Sequence, residues 1–349
     1  MDETAFRILD TLSRDPGGRT SISALSREIR RLHGTAYYSN TYTALHRLQK
    51  EGIVELAKAG NSSLASLNLR NRQTVDALSE MELHKRRSLL GKREELRRLF
   101  DSLSETPYVG PTCLIDAERN LKLNRAELLI LIPEFMSSTS TETLRALLDE
   151  LERRLNLRLD ALILDEKGFR SLLAAPDRNA LKEMLPKQIA LLAPDLFWSK
   201  IRNAWAHGIR IQFDQEGTNP TKISEQDIVY NLARFGYSEF GSPAKEGEDF
   251  GLEYMVPAVL LKGDARRIQA IPVILAKNQP NYPLLLFLSR KYGVQGELLG
   301  LLRALARYEE NQDLQQALRM LDAAQVTEIG ASEASIAEIM RTYNAIARS

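Results

Sequence analysis

The chain has 349 residues, more than one average domain, and its 44% apolar residues allow each of two or three domains to bury a core. No apolar run is long enough to span a bilayer, and the first residues lack the basic segment and cleavage motif of a signal peptide. The one cysteine, Cys113, excludes an intramolecular disulfide and a cysteine-rich zinc site. These features predict a cytoplasmic protein with no membrane partner.

The first fifty residues have the periodicity of three helices. Apolar residues at helical spacing predict a first helix over Glu3–Arg14 and a second over Ala24–Leu32. A third helix is expected to begin at Ser39 or Asn40, because a short polar side chain there accepts a hydrogen bond from an unpaired backbone N–H. Gly52 follows it as the left-handed residue that ends a helix.

Two short strands are expected directly after the third helix. An apolar run starts at Ile53, Ala59–Ser62 has the composition of a tight turn, and Leu64–Leu69 alternates apolar and polar residues. Three helices and a two-stranded hairpin are the plan of a winged helix-turn-helix, which we expect at residues 1–73. A helical linker at 74–105 follows, with its basic run at 85–87 expected to face solvent or to pair with nearby acids.

Charge is concentrated in this first region. Residues 16–75 hold nine Lys or Arg against three acids, a net charge of +6, whereas the whole chain has +1, so the remainder has −5. A basic module on a slightly acidic body is typical of a nucleic-acid contact surface, and the expected partner is duplex DNA. The same fold also serves in protein–protein interaction, and the basic charge favours DNA.

The side chains expected to point away from the core of the third helix and the hairpin are the predicted DNA contacts. Recognition helices contact base edges with their N-terminal half, which indicates Asn40, Thr43 and Arg47 as base-reading residues. Phosphate contacts position a protein without specifying sequence, and Arg31, Lys50 and Lys58 fit that role. The remaining predicted contacts are Ser39 and His46 on the third helix and Asn61 and Ser62 at the tip of the hairpin.

The middle of the chain changes to short apolar runs alternating with helices. Strands are predicted at Thr112–Ile115, Ala126–Ile132, Leu157–Leu164 and Ile189–Leu192. This pattern predicts an α/β domain at residues 106–210.

The order of these elements resembles the minimal nucleotidyltransferase fold, as found in archaeal proteins that carry an N-terminal winged helix. That family has a Gly-Ser loop for the triphosphate and three acids that bind divalent metal. Here Asp116 and Ala117 stand in place of Gly-Ser. Arg125 stands in place of the first acid, which leaves only Glu127 and Asp160.

The resemblance covers about residues 106 to 205 and implies a catalytically degenerate domain. An arginine in the metal position would repel the cation that phosphoryl chemistry requires. We therefore expect no catalytic residue, no bound metal and no cofactor, with Glu127 and Asp160 as vestiges of the metal site. The domain would serve as a scaffold or as a sensor that binds a nucleotide.

The remainder, residues 211–349, has a train of apolar segments that predicts a helical domain. Its most apolar part, Tyr282–Leu302, suits either a core or a subunit contact, and core is favoured because buried leucines rarely need another explanation.

The sequence thus predicts an α+β multidomain protein with a winged helix, a nucleotidyltransferase-like α/β domain and a mostly helical C-terminal domain. The leading hypothesis is a DNA-binding transcriptional regulator that acts as a homodimer, because two half-sites multiply affinity. The alternative is a nucleotidyltransferase-like enzyme of a toxin–antitoxin or defence system, for which Asp116 would have to supply a compensating acid.

Overall fold

A computed structural model describes residues 1–60, 62–106, 109–133, 138–214, 217–238, 246–329 and 333–345. The chain has the expected α+β composition, with helices throughout and two small sheets. It divides into two compact units. The first contains residues 1–136, 145–175 and 181–216, and the second contains 137–144, 176–180 and 217–349.

The first unit begins with three helices and a three-stranded antiparallel sheet of order β1-β3-β2. Their bounds are α1 (Glu3–Leu12), β1 (Thr20–Ser21), α2 (Ile22–His33), α3 (Tyr38–Lys50), β2 (Val54–Ala59) and β3 (Ser62–Leu67). Leu9, Leu25 and Leu45, one from each helix, are almost completely buried and form the centre of a shared core. The three predicted helices and the hairpin are all present.

The start of α3 differs from the expectation that Ser39 or Asn40 caps it. The helix begins at Tyr38, Tyr37 is its N-cap, and no side chain accepts a hydrogen bond from its first turn. Ser39 and Asn40 therefore lie inside the helix with exposed side chains. The other end is as predicted, because Gly52 has φ of 71° and ends the helix in the left-handed conformation.

A long helix and a four-stranded mixed sheet complete the first unit. After α4 (Arg72–Leu90) and α5 (Glu94–Ser104), the strands are β4 (Thr112–Ile115), β5 (Arg125–Leu131), β6 (Arg158–Leu164) and β7 (Gln188–Leu192). Their order is β6-β5-β4-β7, with β5 and β6 parallel and the other pairs antiparallel. The intervening helices are α6 (Ala117–Lys122), α7 (Ser138–Leu155), α8 (Glu166–Ala174), α9 (Ala180–Met184) and α10 (Pro194–Ala206).

The second unit is helical over its described residues. Its helices are α11 (Glu225–Arg234), α12 (Leu252–Lys262), α13 (Ala265–Ile268), α14 (Ala270–Lys277), α15 (Tyr282–Tyr292), α16 (Gln295–Leu305), α17 (Gln312–Ala323) and α18 (Glu333–Thr342). Leu284, Leu285, Leu298 and Leu302 are fully buried, which confirms that the most apolar segment is core. In the described ranges, no helix combines the length and apolar character that crossing a membrane requires.

The sequence predicts that the basic run at 85–87 faces solvent or pairs with nearby acids. Arg87 is exposed and Lys85 pairs with acids, whereas the half-buried Arg86 instead bonds a backbone carbonyl. The Lys85 ammonium lies 3.1 Å from a carboxylate oxygen of Asp10 and donates to Glu82 at 3.3 Å and to the carbonyl of Gln188 at 3.0 Å. The Arg86 guanidinium donates to the carbonyl of Leu191 at 2.8 Å. These bonds tie α4 to α1 and to β7, so the basic run is structural.

Glu82 is the buried counterpart of Lys85. Its side chain is fully buried and accepts hydrogen bonds from the Gln188 side chain at 3.0 Å and from the Ala190 N–H at 2.8 Å. Burial raises the pKa of the Glu82 carboxyl. Burial also opposes ionisation of Asp10 and Lys85. For Asp10 it is outweighed by Lys85, His33 and Arg14 together, and for Lys85 by the carboxylates of Glu82 and Asp10 together. The pKa of Asp10 is therefore lowered and that of Lys85 is raised.

We expect Lys85→Met to lower the free energy of unfolding by about 3–5 kcal/mol near neutral pH, because it leaves two buried carboxylates facing each other. Without the ammonium, the pKa of Glu82 should rise further above its unfolded value, whereas Asp10 keeps the Arg14 guanidinium at 3.4 Å and the His33 ring nitrogen at 3.3 Å. The variant should then gain stability as the pH falls from 8 to 5, whereas the Asp10 contribution in the parent chain is lost as the pH falls below its unfolded pKa.

Urea unfolding across this pH range measures the effect. The exposed Arg87, next but one along the same helix, provides a control in Arg87→Met, which should change stability by less than about 1 kcal/mol. A Lys85→Met deficit that is the same at pH 5 and pH 8 would contradict the assignment.

Candidate nucleic-acid interface and carboxylate–arginine cluster

The outward face of α3 is polar, and the helix itself contributes no carboxylate to it. The helix sequence YSNTYTALHRLQK contains no acid, and the Ser39, Asn40, Thr43 and Lys50 side chains are all exposed. Thr41, Ala44, Leu45 and Leu48 are buried on the opposite face. The pattern that buries one side thus presents four of the predicted contact residues together, while His46 is half-buried.

Arg47 also lies on α3, but its guanidinium is already paired. It contacts the carboxylate of Asp2 and lies 3.9 Å from that of Glu51. Asp2 has a second role, because its side chain accepts the N–H of Ala5 at 2.9 Å and caps α1. The backbone N–H and the guanidinium together lower the pKa of Asp2. A base contact by Arg47 would have to replace this ion pair.

The other predicted contacts are differently placed. Arg31 makes a two-pronged ion pair with Glu28, with its Nε donating at 2.9 Å, so this guanidinium is engaged at the surface. Lys58 is exposed on β2, and Ser62 is exposed where β3 begins. The predicted contact at Asn61 lies outside the described residues.

A row of aromatic side chains along α3 was missed by the sequence argument. Tyr37 is 68% exposed, Tyr38 53% and Tyr42 44%. The rings of Tyr38 and Tyr42 stack with centroids 6.2 Å apart, and Tyr42 meets the ring of His46 edge-on at 4.4 Å. The available signal was the i, i+4, i+8 spacing of Tyr38, Tyr42 and His46, which places these three side chains on one side of a helix.

The two acids that the resemblance marks as vestigial lie side by side in the sheet. The parallel register of β5 and β6 pairs Glu127 with Asp160, and it also pairs Arg125 with Arg158. Arg125 lies 2.8 Å from the carboxylate of Glu127, and Arg158 lies 3.2 Å from that of Asp160. Both carboxylates are buried, and each has a guanidinium where a metal site would have a cation.

Asp116 does not complete a three-acid site with them. It ends β4 in the left-handed conformation, with φ of 42°, and its carboxylate faces the Lys187 ammonium at 3.8 Å. Over the described residues, no three His, Cys, Asp or Glu side chains are grouped so that they could hold a metal ion. The compensating acid that the enzyme hypothesis requires is not in place in this part of the chain.

The fold and these two sites define an α+β protein with one exposed helix face that contributes no acid of its own and one cluster in which each buried carboxylate is paired with a guanidinium. No protein-family model, no curated protein and no solved structure matches the chain. What the helix face binds therefore has to be inferred from its own chemistry.

We expect Arg125→Met to lower the free energy of unfolding by about 3 kcal/mol, because it removes the guanidinium that faces the buried carboxylate of Glu127. The double variant Arg125→Met/Glu127→Gln removes the charge while keeping the shape, and it should recover most of that loss. Chemical unfolding of both variants measures the coupling.

Arg119→Met provides the control, because Arg119 is exposed on α6 and has no ion-pair partner among the described residues. Its effect should stay within about 0.5 kcal/mol. If the double variant is as unstable as the single one, the ion pair is not what holds Glu127 in the sheet.

Proposed function

We propose that this chain is a cytoplasmic DNA-binding protein, a transcriptional regulator, whose residues 1–73 form a winged helix-turn-helix with α3 as its recognition helix. The observation that carries the proposal is the outward face of α3, where polar and basic side chains are exposed and the helix contributes no acid. The nearby carboxylates of Asp2 and Glu51 are both paired with Arg47. A phosphate-lined groove repels carboxylates and attracts ammonium groups, so this face suits DNA better than a neutral protein partner.

Individual side chains on this face have roles that follow from their chemistry. Asn40 carries an amide that can donate to and accept from the major-groove edge of adenine, and Thr43 offers a hydroxyl and a methyl group. Lys50 on the helix and Lys58 on the hairpin would contact phosphates, which fixes position without specifying sequence.

Arg47 would join this set by exchanging its partner. Its ion pair with Asp2 is half-exposed, so it contributes little free energy and a guanine edge or a phosphate can replace the carboxylate. In this scheme Asp2 competes with DNA for one guanidinium and lowers the affinity of the free protein.

The central sheet, in this proposal, is a nucleotidyltransferase-like domain that has lost its catalytic metal site and serves as a scaffold. The support for lost catalysis is the pairing of Arg125 with Glu127 and of Arg158 with Asp160. Homodimerisation is part of the proposal because paired half-sites multiply affinity. The buried segment Tyr282–Leu302 is not the surface that would provide it.

Lys50→Ala should weaken binding to duplex DNA several-fold and reduce the slope of log K against log salt by about 1, since one phosphate contact is lost. Fluorescence anisotropy with a labelled duplex, titrated at several salt concentrations, measures both quantities. Arg319→Ala removes one exposed cation from α17 and is the charge-matched control. Equal affinities and slopes for all three proteins would refute the proposed interface.

Asp2→Asn should tighten DNA binding by about two- to fivefold, because it releases Arg47 from an ion pair of the strength typical of protein surfaces. Asparagine caps a helix as well as aspartate does, so α1 should keep its stability. The same anisotropy assay measures the change.

Two comparisons separate release of Arg47 from a general charge effect. Asp76→Asn removes an exposed acid from α4 and should leave the affinity nearly unchanged. In an Arg47→Ala background, Asp2→Asn should no longer tighten binding. A gain that persists in that background would show that Arg47 is not the group that Asp2 holds back.

A further inference from the structure

A cleft of about 890 Å³ lies within the first unit, apart from the outward face of α3. Its walls come from α1, α2, α4 and α6 and from the residues that lead into β7. This volume is in the range of protein sites for small molecules of nucleotide size. None of the four residues of the carboxylate–arginine cluster lines it, so the cleft is a separate feature.

The lining of this cleft has an excess of positive charge. Six Lys or Arg side chains face three carboxylates, and the six are Arg14, Lys85, Lys92, Arg93, Lys122 and Lys187. Cations gathered around a concave surface with low-dielectric walls reinforce one another's field. The cleft therefore attracts anions.

Two of these cations have no ion-pair partner in the part of the chain that the structure describes. Lys85 is held by Asp10 and Glu82, and Arg93 lies 3.3 Å from Glu95. Lys92 and Lys122, by contrast, are exposed, and neither ammonium has a hydrogen bond or an ion pair with any residue that the structure describes. Their charge is available to a ligand.

Other residues that line the cleft are apolar. Leu89, Leu121 and Ile189 give it an apolar surface, against which a ring can pack. Gln188 also lines the cleft, and its buried side-chain oxygen has no donor among the described residues. The amide nitrogen of Gln188 donates to the buried carboxylate of Glu82 at 3.0 Å, so this side chain belongs to the network around Lys85 and is not a ligand contact.

We infer that this cleft binds a phosphorylated small molecule. Its phosphates contact Lys92 and Lys122, and its ring or other apolar part packs on the apolar part of the lining. Because ammonium groups neutralise the phosphates, binding requires no divalent metal. This separates the site from a nucleotidyltransferase site, in which carboxylate-bound cations hold the phosphates.

Isothermal titration of the full-length chain with ATP, pyrophosphate and adenosine, in the presence of EDTA, tests the inference without any DNA. Saturable binding of ATP or pyrophosphate is expected, and adenosine should bind much more weakly because it has no phosphate. Tighter binding of ATP than of pyrophosphate indicates a nucleotide, and equal binding indicates that the phosphates alone are recognised.

Charge reversals locate the site. Lys92→Glu and Lys122→Glu should each weaken binding at least about tenfold, since each loses a charge-assisted contact to phosphate. Arg119→Glu is the matched control, because Arg119 lies on α6 with Lys122 but does not line the cleft. Its affinity should stay within about twofold of the parent. All three positions are exposed, and an unchanged circular dichroism spectrum verifies the fold.

Three outcomes would overturn the inference. The first is no saturable binding of either phosphate compound. The second is equal weakening by Arg119→Glu, which reflects overall charge alone. The third is binding that needs Mg²⁺ and is lost in Asp160→Asn, which places the ligand at the carboxylate cluster. None of these depends on whether α3 binds DNA.

Discussion

The first unit depends on the Lys85 ammonium, which lies between Asp10 of α1, Glu82 of α4 and the backbone of β7. A buried charge is tolerated only when counter-charges and hydrogen bonds replace its lost hydration. Three elements distant in sequence are thus required to meet at one point. The apolar cores supply more of the folding free energy, but they tolerate sliding, whereas this ionic contact accepts one arrangement. This contact also fixes the position of α1 relative to α4, and both helices contribute residues to the cleft wall.

The same requirement accounts for the carboxylate–arginine cluster. Parallel pairing of β5 and β6 places Glu127 beside Asp160. Two neighbouring buried carboxylates repel each other unless positive charge lies close to them. Arg125 and Arg158 supply it from the same strands. Each carboxylate is thus paired with a guanidinium from its own strand, and no group of three His, Cys, Asp or Glu in the described residues could hold a metal ion there. The enzyme hypothesis would need these arginines to move away.

Surface ion pairs at the proposed DNA interface differ from these buried pairs, because they can exchange partners. The pairs of Arg47 with Asp2 and of Arg31 with Glu28 are solvent-exposed, so they are weak and exchangeable. Polyanionic DNA offers a competing partner at high local charge density. Buried ion pairs in this protein thus stabilise the fold. Exposed ion pairs instead determine how easily their Arg side chains can exchange a carboxylate for a phosphate. Lys92 and Lys122 represent the limiting case, because neither has an ion-pair partner among the described residues.

The sequence determined what depends on neighbours along the chain: the three helices, the hairpin, the four strands of the second sheet and the left-handed Gly52. Only the tertiary structure decided the partner of each charge. Lys85 meets Asp10 and Arg47 meets Asp2 across long stretches of sequence, and Lys92 faces the same cleft as Lys122. Periodicity reports which face of an element is buried, but an ion pair is set by which elements pack together, and local pattern does not encode that.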